Sequence, residues 1–383
     1  MNKVRIGILG LGNMGKFHAG YLAQKKVENC ELTAVATSSE TKAQSYPGVA
    51  HFRDNLELIQ SGQVDAVIIA TPHYSHTTLG IAALEQGLHV MVEKPISVHK
   101  ADCQRLLDAH TDKSRIFAAM FQLRAEPRYQ RLKKLITEGE LGEIVRVSWI
   151  ITDWFRTEAY FASGGWRATW RGEGGGALLN QCPHQLDLMQ WLCGMPTRIR
   201  GFCQFGRYHD IEVEDNVTVY FDYPNGATGV FITSTGEAPG TNRFEIAGDR
   251  GKVVIEQGKL LFTRNETPMC QFSKTAKTGF ARPDLWNIEI PVENAPAPHA
   301  TVMQNFTDAI LKGTPLIAPA SDGVGSVEFA NAALYASWTE QTVSLPLDAE
   351  AYERALREKI ESSKFEKKVV ATSDEDFSKS FSR

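Results

Sequence analysis

Cysteine is scarce in this chain of 383 residues, which has only six, and the six are scattered. Because no two of them form a C-x-x-C pair, the sequence offers neither a disulfide scaffold nor a zinc site, and we expect no bound metal. No apolar run reaches the roughly 18 residues that a membrane-spanning helix needs. These absences predict a protein without a membrane partner, in the reducing environment of the cytoplasm.

An excess of positive charge is also missing. Lysine and arginine total 41 against 45 aspartate and glutamate residues, which gives a formal net charge of -4. A protein of this charge has no electrostatic footprint for nucleic acid or anionic lipid, so we expect neither as a partner. The composition is otherwise that of a globular protein, with 43% apolar and 22% charged residues, and the length predicts two domains.

The order of the apolar segments divides the chain into two parts. Up to about residue 120, short β-branched runs alternate with helical periodicity, which predicts a parallel sheet built from βαβ units. Beyond residue 124, strand-like segments and turn signals such as Asn225-Gly226 predict a mainly antiparallel sheet with helices on one face. We therefore expect an α/β protein that consists of an N-terminal domain over 1–122, a C-terminal α+β domain over 123–364 and a polar tail over 365–383.

A glycine-rich turn follows the first predicted strand. Gly10, Gly12 and Gly15 form a G-x-G-x-x-G that opens a helix, with Asn13 and Met14 before the last glycine. Glycine at these places permits a tight turn, close approach of the backbone to a pyrophosphate and packing of helix on strand, while free N–H groups bind the anion. The motif predicts that the first domain is a Rossmann dinucleotide-binding domain, the alternative being a purely structural turn.

The end of the second predicted strand lacks the acidic residue that binds the adenosine ribose of NAD. Thr37, Ser38 and Ser39 stand there instead, with Lys42 nearby, and Glu40 is predicted to belong to the following loop or helix. Hydroxyl and ammonium groups accept a 2′-phosphate that a carboxylate would repel. We therefore expect NADP rather than NAD, unless the three hydroxyls only cap a turn.

Two further motifs come after predicted strands. A T-P-x-x-x-H runs from Thr71 to His76, and an E-K-P is centred on Lys94. In an open parallel sheet, ligands bind in the crevice at the carboxyl ends of the strands. From the residues alone, Lys94 is explained equally well as a surface ion-pair partner of Glu93. The predicted cofactor contacts are Gly10, Gly12, Asn13, Met14, Gly15, Thr37, Ser38, Ser39, Lys42, Thr71, Pro72, His73, His76, Glu93 and Lys94.

A fourth motif makes the pattern specific. Residues 174–187 read GGGALLNQCPHQLD, and together with the three motifs before them they resemble the glucose-fructose oxidoreductase / inositol dehydrogenase (Gfo/Idh/MocA) family. The resemblance extends by motifs from Met1 to about Trp191. It implies NAD or NADP as the cofactor, a sugar or cyclitol as the substrate, and Lys94 and His184 as catalytic residues. A histidine of ordinary pKa suits removal of a hydroxyl proton, and a lysine would stabilise alkoxide character on the same oxygen.

The histidine motif departs from the family pattern at two positions. The family usually has Asp four residues and Gly two residues before the histidine, where this chain has Asn180 and Cys182. Since residues four apart share a helix face, we expect Asn180 to orient a substrate hydroxyl beside His184 as a catalytic residue, without acting as a base. Asp187 either orients the imidazole or makes a structural hydrogen bond. Pro183 predicts that the helix kinks or begins there.

Four of the seven tryptophans lie between residues 149 and 170, interleaved with arginines. Aromatic faces pack on the C–H faces of a sugar ring, and arginines pair with hydroxyl or acidic groups. These side chains contact substrate or, alternatively, close an interface between domains or subunits, and Arg124 is equally well explained as a tie between the domains. The predicted substrate contacts are Arg124, Asp153, Arg156, Trp166, Arg167 and His184.

The sequence thus predicts a nicotinamide-dependent oxidoreductase that acts on a secondary alcohol of a sugar, sugar derivative or cyclitol. By resemblance, the C-terminal domain binds substrate and forms a homodimer or homotetramer. Two alternatives stay open. One is an NAD-dependent glycosidase that works by transient oxidation and elimination, and the other is a non-catalytic dinucleotide-binding regulator. Retention of Lys94 and His184 argues against the regulator.

Overall fold

A six-stranded parallel sheet organises the N-terminal part of the protein. The structure is a computed structural model, which describes residues 3–293 and 298–369. The strands of this sheet are β1 (Val4–Leu9), β2 (Cys30–Ala36), β3 (Ala50–Phe52), β4 (Ala66–Ile69), β5 (His89–Val92) and β6 (Phe117–Ala119). They lie in the order β3-β2-β1-β4-β5-β6, which is the order of a Rossmann domain. The helices between them are α1 (Asn13–Ala23), α2 (Glu40–Ala43), α3 (Asn55–Gln60), α4 (Tyr74–Glu85) and α5 (Lys100–Asp108).

The buried character of the strands explains why this sheet was predictable. All residues of β4 and β5 are buried, as expected for strands that are covered by helices on both faces. The predicted parallel sheet is confirmed. Strands β3 and β6 were not predicted, because strands of three residues are too short to show a periodicity.

A nine-stranded mixed sheet forms the second part. Its strands are β7 (Ile144–Ile151), β8 (Arg198–Phe205), β9 (Glu214–Asp222), β10 (Thr228–Ser234), β11 (Asn242–Gly248), β12 (Gly251–Glu256), β13 (Lys259–Asn265), β14 (Leu285–Ile290) and β15 (Val343–Ser344). The order is β14-β13-β12-β11-β7-β10-β9-β8-β15, and every pairing is antiparallel except that of β10 with β7. The predicted mainly antiparallel sheet is confirmed, and Asn225-Gly226 forms the predicted turn between β9 and β10, with Gly226 at φ 84°.

Helices cover one face of this mixed sheet. The helices beyond residue 126 are α6 (Pro127–Thr137), α7 (Glu158–Ala162), α8 (Pro183–Cys193), α9 (Met269–Thr275), α10 (Pro298–Lys312), α11 (Gly323–Thr339) and α12 (Ala349–Ser362), of which α10 packs against the first sheet instead. Of these, α11 lies across β8 and also contacts α8. Strand β9 buries every second residue from Val217 to Phe221, so that its other residues face outward.

The segment 298–320 packs against the first sheet rather than the second. Val302, Met303 and Phe306 of α10 are buried in the core of the Rossmann domain, and Pro319 forms an antiparallel bridge with Ala118 of β6. This segment belongs to the predicted C-terminal domain 123–364 in sequence but packs in the core of the N-terminal domain. The domain bounds stay a prediction. Of the predicted tail 365–383, residues 370–383 lie outside the described residues.

The helices over 3–293 and 298–369 include none that has both the length and the hydropathy to cross a membrane.

Candidate active site at the junction of the two sheets

The glycine turn lies between β1 and α1. Gly10 has φ 89°, and a Cβ on it would lie 2.9 Å from the main-chain oxygen of Ala70. A Cβ on Gly15 would lie 1.8 Å from the oxygen of Gly10, whereas one on Gly12 would meet nothing within 4 Å. No described side chain caps the N-terminus of α1, so the main-chain N–H groups of its first turn, around Asn13 and Met14, are available to an anion. These residues fit a dinucleotide pyrophosphate.

The end of β2 carries hydroxyls and no carboxylate. Thr37 Oγ1 accepts a hydrogen bond of 3.2 Å from Ser39 N, Ser38 is exposed, and Lys42 lies in the short helix α2. Glu40 begins that helix, and its carboxylate lies 3.5 Å from the guanidinium of Arg53. Arg53 follows β3 and adds a cation at this edge of the sheet, which was not predicted from the sequence.

The T-P-x-x-x-H motif follows β4 and lies beside the glycine turn. Thr71 Oγ1 is buried and has no hydrogen-bond partner among the described residues, and Pro72 precedes the helix α4. Nδ1 of His73 donates a hydrogen bond of 3.1 Å to the main-chain oxygen of Glu173, and the ring contacts Trp166 edge-on, with ring centroids 4.9 Å apart. His73 thus joins the first sheet to the second part of the chain.

Two predicted cofactor contacts have a different role. His76 is buried, and its ring nitrogens lie 2.7 Å from the oxygen of Pro95 and 2.8 Å from that of Thr71, so it braces the loops after β4 and β5 and has no ring nitrogen left for a cofactor. Glu93 is also buried, 2.6 Å from His18 Nε2, and accepts a bond of 3.1 Å from Lys94 N. The assignment of His76 and Glu93 to cofactor binding is therefore wrong, because protein atoms occupy their polar groups.

The charge of Glu93 is stabilised by these contacts. Burial alone would raise the pKa of Glu93, but the hydrogen bond and charge of His18, with the charge of Lys94, hold it at about 2. The carboxylate therefore stays ionised and fixes the main chain at Lys94, directly before the cis peptide bond to Pro95.

Lys94 reaches from the first sheet to the second part of the chain. It is half-buried, and Nζ donates a hydrogen bond of 2.8 Å to the main-chain oxygen of Asn180. Burial lowers the pKa of Lys94, the carboxylate of Glu93 opposes this, and the guanidinium groups of Arg167 and Arg156 lower it further. These effects place two arginines of the C-terminal part within electrostatic range of Lys94.

The segment around Asn180 is not one helix with His184. Residues Ala177–Gln181 form a π-helical turn, and α8 begins at Pro183. The prediction that Pro183 marks a kink or a start is confirmed, whereas the expectation that Asn180 and His184 share a helix face is wrong, because the helix type changes between them. The side-chain amide of Asn180 donates to the buried carboxyl of Glu173, and its main-chain oxygen binds Lys94.

His184 lies in the first turn of α8 and is buried. Its Nε2 is 3.1 Å from the side-chain amide nitrogen of Gln122, while its Nδ1 and the amide oxygen of Gln122 have no partner among the described residues. Burial lowers the pKa of His184 well below its ordinary value, and the charge of Lys94 lowers it further. A neutral imidazole beside an ammonium group is suited to accept a proton at neutral pH.

Arg124 ties the two parts of the chain together. Its side chain is 1% exposed, its guanidinium makes two bonds of 2.7–2.8 Å to Asp187, and a third bond of 2.7 Å goes to Asp322. The predicted substrate contact of Arg124 is therefore wrong, because these carboxylates occupy the guanidinium and burial excludes a ligand. The same bonds assign Asp187 to Arg124 and not to the imidazole of His184.

The remaining predicted substrate contacts lie on one loop, residues 152–173, which we call the substrate loop. Arg167 donates a bond of 2.8 Å to the hydroxyl of Tyr160 and lies over the rings of Tyr160 and Trp166, 4.6 Å from each centroid. Arg156 lies over Tyr160 at 5.0 Å, and its Nε is buried without a partner in the described part of the chain. Asp153 accepts a bond of 3.3 Å from the side chain of Asn242 at the start of the loop.

Three residues of this junction were not predicted from the sequence. Gln122 follows the short strand β6, and its position after a strand could have indicated it. Glu173 directly precedes the glycine run, and its carboxyl accepts from Ala168 N at 2.6 Å as well as from Asn180. Lys367 donates hydrogen bonds to main-chain oxygens of the substrate loop, and no pattern in the sequence around it indicated this contact. Within 3–293 and 298–369, no three His, Cys, Asp or Glu side chains are close enough to hold a metal.

Family models match both parts of the chain. Residues 4–121 match an oxidoreductase family with an NAD-binding Rossmann fold, and residues 129–254 match the GFO/IDH/MocA C-terminal domain.

Among curated proteins, the chain is similar to the uncharacterized oxidoreductase YdgJ of Escherichia coli K12, with 31% identity over 201 residues that cover 51% of this chain and 55% of the relative. The match thus spans about half the length of that protein. A levoglucosan dehydrogenase of Pseudarthrobacter phenanthrenivorans is 27% identical over 338 residues, 75% of this chain and 84% of the relative.

Among solved structures, the WlbA dehydrogenase of Chromobacterium violaceum, determined in complex with NADH and UDP-GlcNAcA, superposes with a TM-score of 0.77. It is 26% identical in sequence, and the superposition covers 91% of this chain and 97% of that one.

Proposed function

Because this chain belongs to the Gfo/Idh/MocA family of oxidoreductases, we propose that it transfers a hydride between a nicotinamide cofactor and a secondary alcohol carbon of a sugar, sugar derivative or cyclitol. The observation that carries the proposal is the hydrogen bond of 2.8 Å from Lys94 Nζ to the main-chain oxygen of Asn180. It joins the E-K-P of the NAD-binding domain to the segment that leads into His184. Lys94 belongs to the NAD-binding domain and His184 to the C-terminal part, so the pair forms only where the two parts meet.

In this proposal, Lys94 and His184 act on the same alcohol oxygen. Lys94 donates a hydrogen bond to that oxygen and stabilises the negative charge that develops on it, and His184 accepts the hydroxyl proton. A nicotinamide, when bound, supplies the acceptor for the hydride that leaves the same carbon. The lowered pKa of His184 keeps the imidazole unprotonated at neutral pH, which a proton acceptor requires, and the same shift makes it a weaker base.

Gln122 sets the tautomer that this step requires. Nδ1 of His184 accepts the proton only if the hydrogen of the neutral ring is on Nε2, and Nε2–H then needs an acceptor. The amide oxygen of Gln122, which has no other partner among the described residues, supplies it when the amide turns its oxygen toward the ring. In this arrangement Gln122 orients the base.

The cofactor is NADP in preference to NAD. The edge of β2 supports this choice, since Thr37, Ser38 and Ser39 replace a carboxylate and the carboxylate of Glu40 is directed to Arg53. The WlbA relative was determined with NADH, so the proposed preference differs from the cofactor in that structure. Michaelis constants for the two cofactors test it, and a lower constant for NAD would contradict it.

The charges of the junction favour a substrate with an acidic substituent. The charges of Arg156 and Arg167 both lower the pKa of Lys94, and the buried Nε of Arg156 has no partner in the described residues. A sugar carboxylate would pair with such donors. We therefore expect a uronic acid or another acidic sugar to be oxidised with a lower Michaelis constant than its neutral counterpart.

Assembly into a dimer or tetramer is part of the proposal. Phe202 and Tyr220 project from the uncovered face of the nine-stranded sheet and are 55% and 42% exposed. Light scattering after size exclusion tests the assembly, and a monomer at micromolar concentration would contradict it.

The test of the reaction is a cofactor-reduction assay over a panel of levoglucosan, inositols, neutral sugars and sugar acids. We expect nicotinamide absorbance to rise with at least one acidic sugar. Cleavage of a glycoside without accumulation of reduced cofactor would instead indicate a glycosidase, and cofactor binding without any reaction would indicate a regulator.

A further inference from the structure

The chain returns to the substrate loop after its last helix. Following α12, Lys367 Nζ donates hydrogen bonds of 2.8 Å to the main-chain oxygen of Phe161 and 2.6 Å to that of Arg167. These contacts span about 200 residues of sequence. Lys367 is half-buried, and burial lowers the pKa of its ammonium group while the carboxyl of Glu173 opposes the change. The ammonium group is thus inserted into the loop.

A second contact anchors the same C-terminal segment. Ser363 Oγ donates to the carboxylate of Glu212, and that carboxylate also accepts a hydrogen bond of 2.8 Å from Trp170 N. The main-chain N–H of Glu212 in turn donates to the oxygen of Ala168 at 3.2 Å. Residues 363–367 are therefore attached to the substrate loop at both ends, once through Glu212 and once through Lys367.

The part of the loop between the two carbonyls carries the predicted substrate contacts. Trp166 and Arg167 lie in it, and Arg167 binds the hydroxyl of Tyr160. That hydroxyl also accepts a bond of 3.2 Å from the side chain of Gln181, the neighbour of Asn180. A chain of contacts thus leads from Lys367 through Arg167 to the turn that holds Lys94.

We propose that Lys367 is a positioning residue, which holds the substrate loop closed over the junction and fixes Arg167 and Trp166 in place for substrate. Two loop carbonyls that would otherwise turn to water converge on one ammonium group, and this sets the spacing between Phe161 and Arg167. The effect on substrate rests on the proposed function. The closure of the loop does not.

The first arm of the test measures the loop directly. The variants are Lys367→Met, a chain truncated after Ser363, the conservative Lys367→Arg, and Lys368→Met as the matched control, because Lys368 is the exposed neighbour. Native protein is treated with trypsin, and cleavage after Arg167 and Arg171 is followed by mass spectrometry. We expect Lys367→Met and the truncation to speed this cleavage about fivefold or more, since the loop opens more often when two hydrogen bonds are lost. Lys367→Arg and Lys368→Met should cleave as the unaltered chain does.

The second arm uses the acidic sugar that the cofactor-reduction panel identifies. We expect Lys367→Met to raise the Michaelis constant for that sugar about fivefold, with kcat and the cofactor dissociation constant within about twofold, because the loop binds substrate and does not touch the reacting atoms. Unchanged cleavage rates in Lys367→Met and in the chain truncated after Ser363 would overturn the proposal. Faster cleavage with an unchanged Michaelis constant would overturn the positioning role. If the unaltered chain oxidises no sugar, the proposed function fails, and the cleavage rates alone decide the closure of the loop.

Discussion

The glycine turn and the substrate loop meet at the same junction but are held in different ways. The turn is made by backbone geometry within residues 10–15, where Gly10 has a positive φ and Gly15 lies against it. The substrate loop is held by side chains from elsewhere, such as Tyr74, whose hydroxyl donates a bond of 2.8 Å to the oxygen of Trp170, and Lys367. The cofactor half of the site is therefore local in sequence, and the substrate half depends on the assembled fold.

This difference indicates where each half can vary. A backbone turn around a shared cofactor tolerates few side chains, whereas a loop held by long-range contacts can change its residues as long as the anchors remain. Relatives of this chain are named dehydrogenases of different compounds, levoglucosan and inositols, which fits this division.

The strongest test of the comparison is to cut the connection between the halves at Arg124. Arg124→Leu leaves the carboxylate of Asp187, itself buried, without its partner, and should lower the free energy of unfolding by about 3–5 kcal/mol. Urea denaturation measures the loss, with Arg354→Leu as the control, because its pair with Glu350 is exposed and should cost at most about 1 kcal/mol.

The double variant Arg124→Leu/Asp187→Asn separates an uncompensated charge from lost packing. It should recover part of the loss, since no buried carboxylate is left unpaired. Equal stability of Arg124→Leu and Arg354→Leu would show that the connection contributes no more than a surface ion pair.

A smaller effect is expected from a change in the glycine turn, the half of the site that is local in sequence. Gly15→Ala places a Cβ 1.8 Å from the oxygen of Gly10, and the turn must reshape to admit it. We expect this rearrangement to weaken cofactor binding by about 1–3 kcal/mol. The cofactor dissociation constant, measured by fluorescence titration, should then rise about ten- to hundredfold. Gly20→Ala lies on the same helix with nothing within 4 Å, and it should leave the constant unchanged. Unaltered binding by Gly15→Ala would remove the turn from the cofactor site.

The smallest effect concerns Asn180→Asp, which restores the residue usual in the family. The amide of Asn180 donates to Glu173, whose pKa burial raises, and an aspartate can replace that bond only by sharing a proton with Glu173. The folded state then binds a proton that the unfolded chain releases, so stability falls as pH rises above the ordinary carboxyl range. We expect about 1 kcal/mol less stability at about pH 8 than at about pH 5, beyond the change in the unaltered chain.

Asn287→Asp is the control for this variant, because Asn287 is exposed on β14 and faces the hydroxyl of Thr263. Urea denaturation at the two pH values measures both proteins. The same pH dependence in both variants would contradict a shared proton at Glu173.

The sequence was sufficient for the sheets and the glycine turn, because their signals are local. Buried β-branched runs, a positive-φ glycine and a proline at the start of α8 act within a few residues of themselves. Strands of three residues, such as β3 and β6, carry too few positions for such a pattern.

Two of the errors at the site share a physical cause. Arg124 and His76 are residue types that bind ligands, and they follow strands at whose ends ligands bind, yet protein carboxylates and main-chain carbonyls occupy their polar groups. Lys367 is the converse, a lysine in a polar stretch that is inserted into a loop 200 residues away. Partners of this kind are fixed by tertiary structure and have no local signature.

The most direct test of the central claim is a double-mutant cycle on Lys94 and His184, in which kcat is measured with the acidic sugar and cofactor binding is measured separately. We expect Lys94→Met and His184→Ala each to lower kcat by at least about 10²-fold. The kcat of the double variant should be little lower than that of the less active single variant, because both groups act on one oxygen. Cofactor binding should persist in all three. Losses that multiply in the double variant, or a His184→Ala protein with unaltered turnover, would contradict the claim.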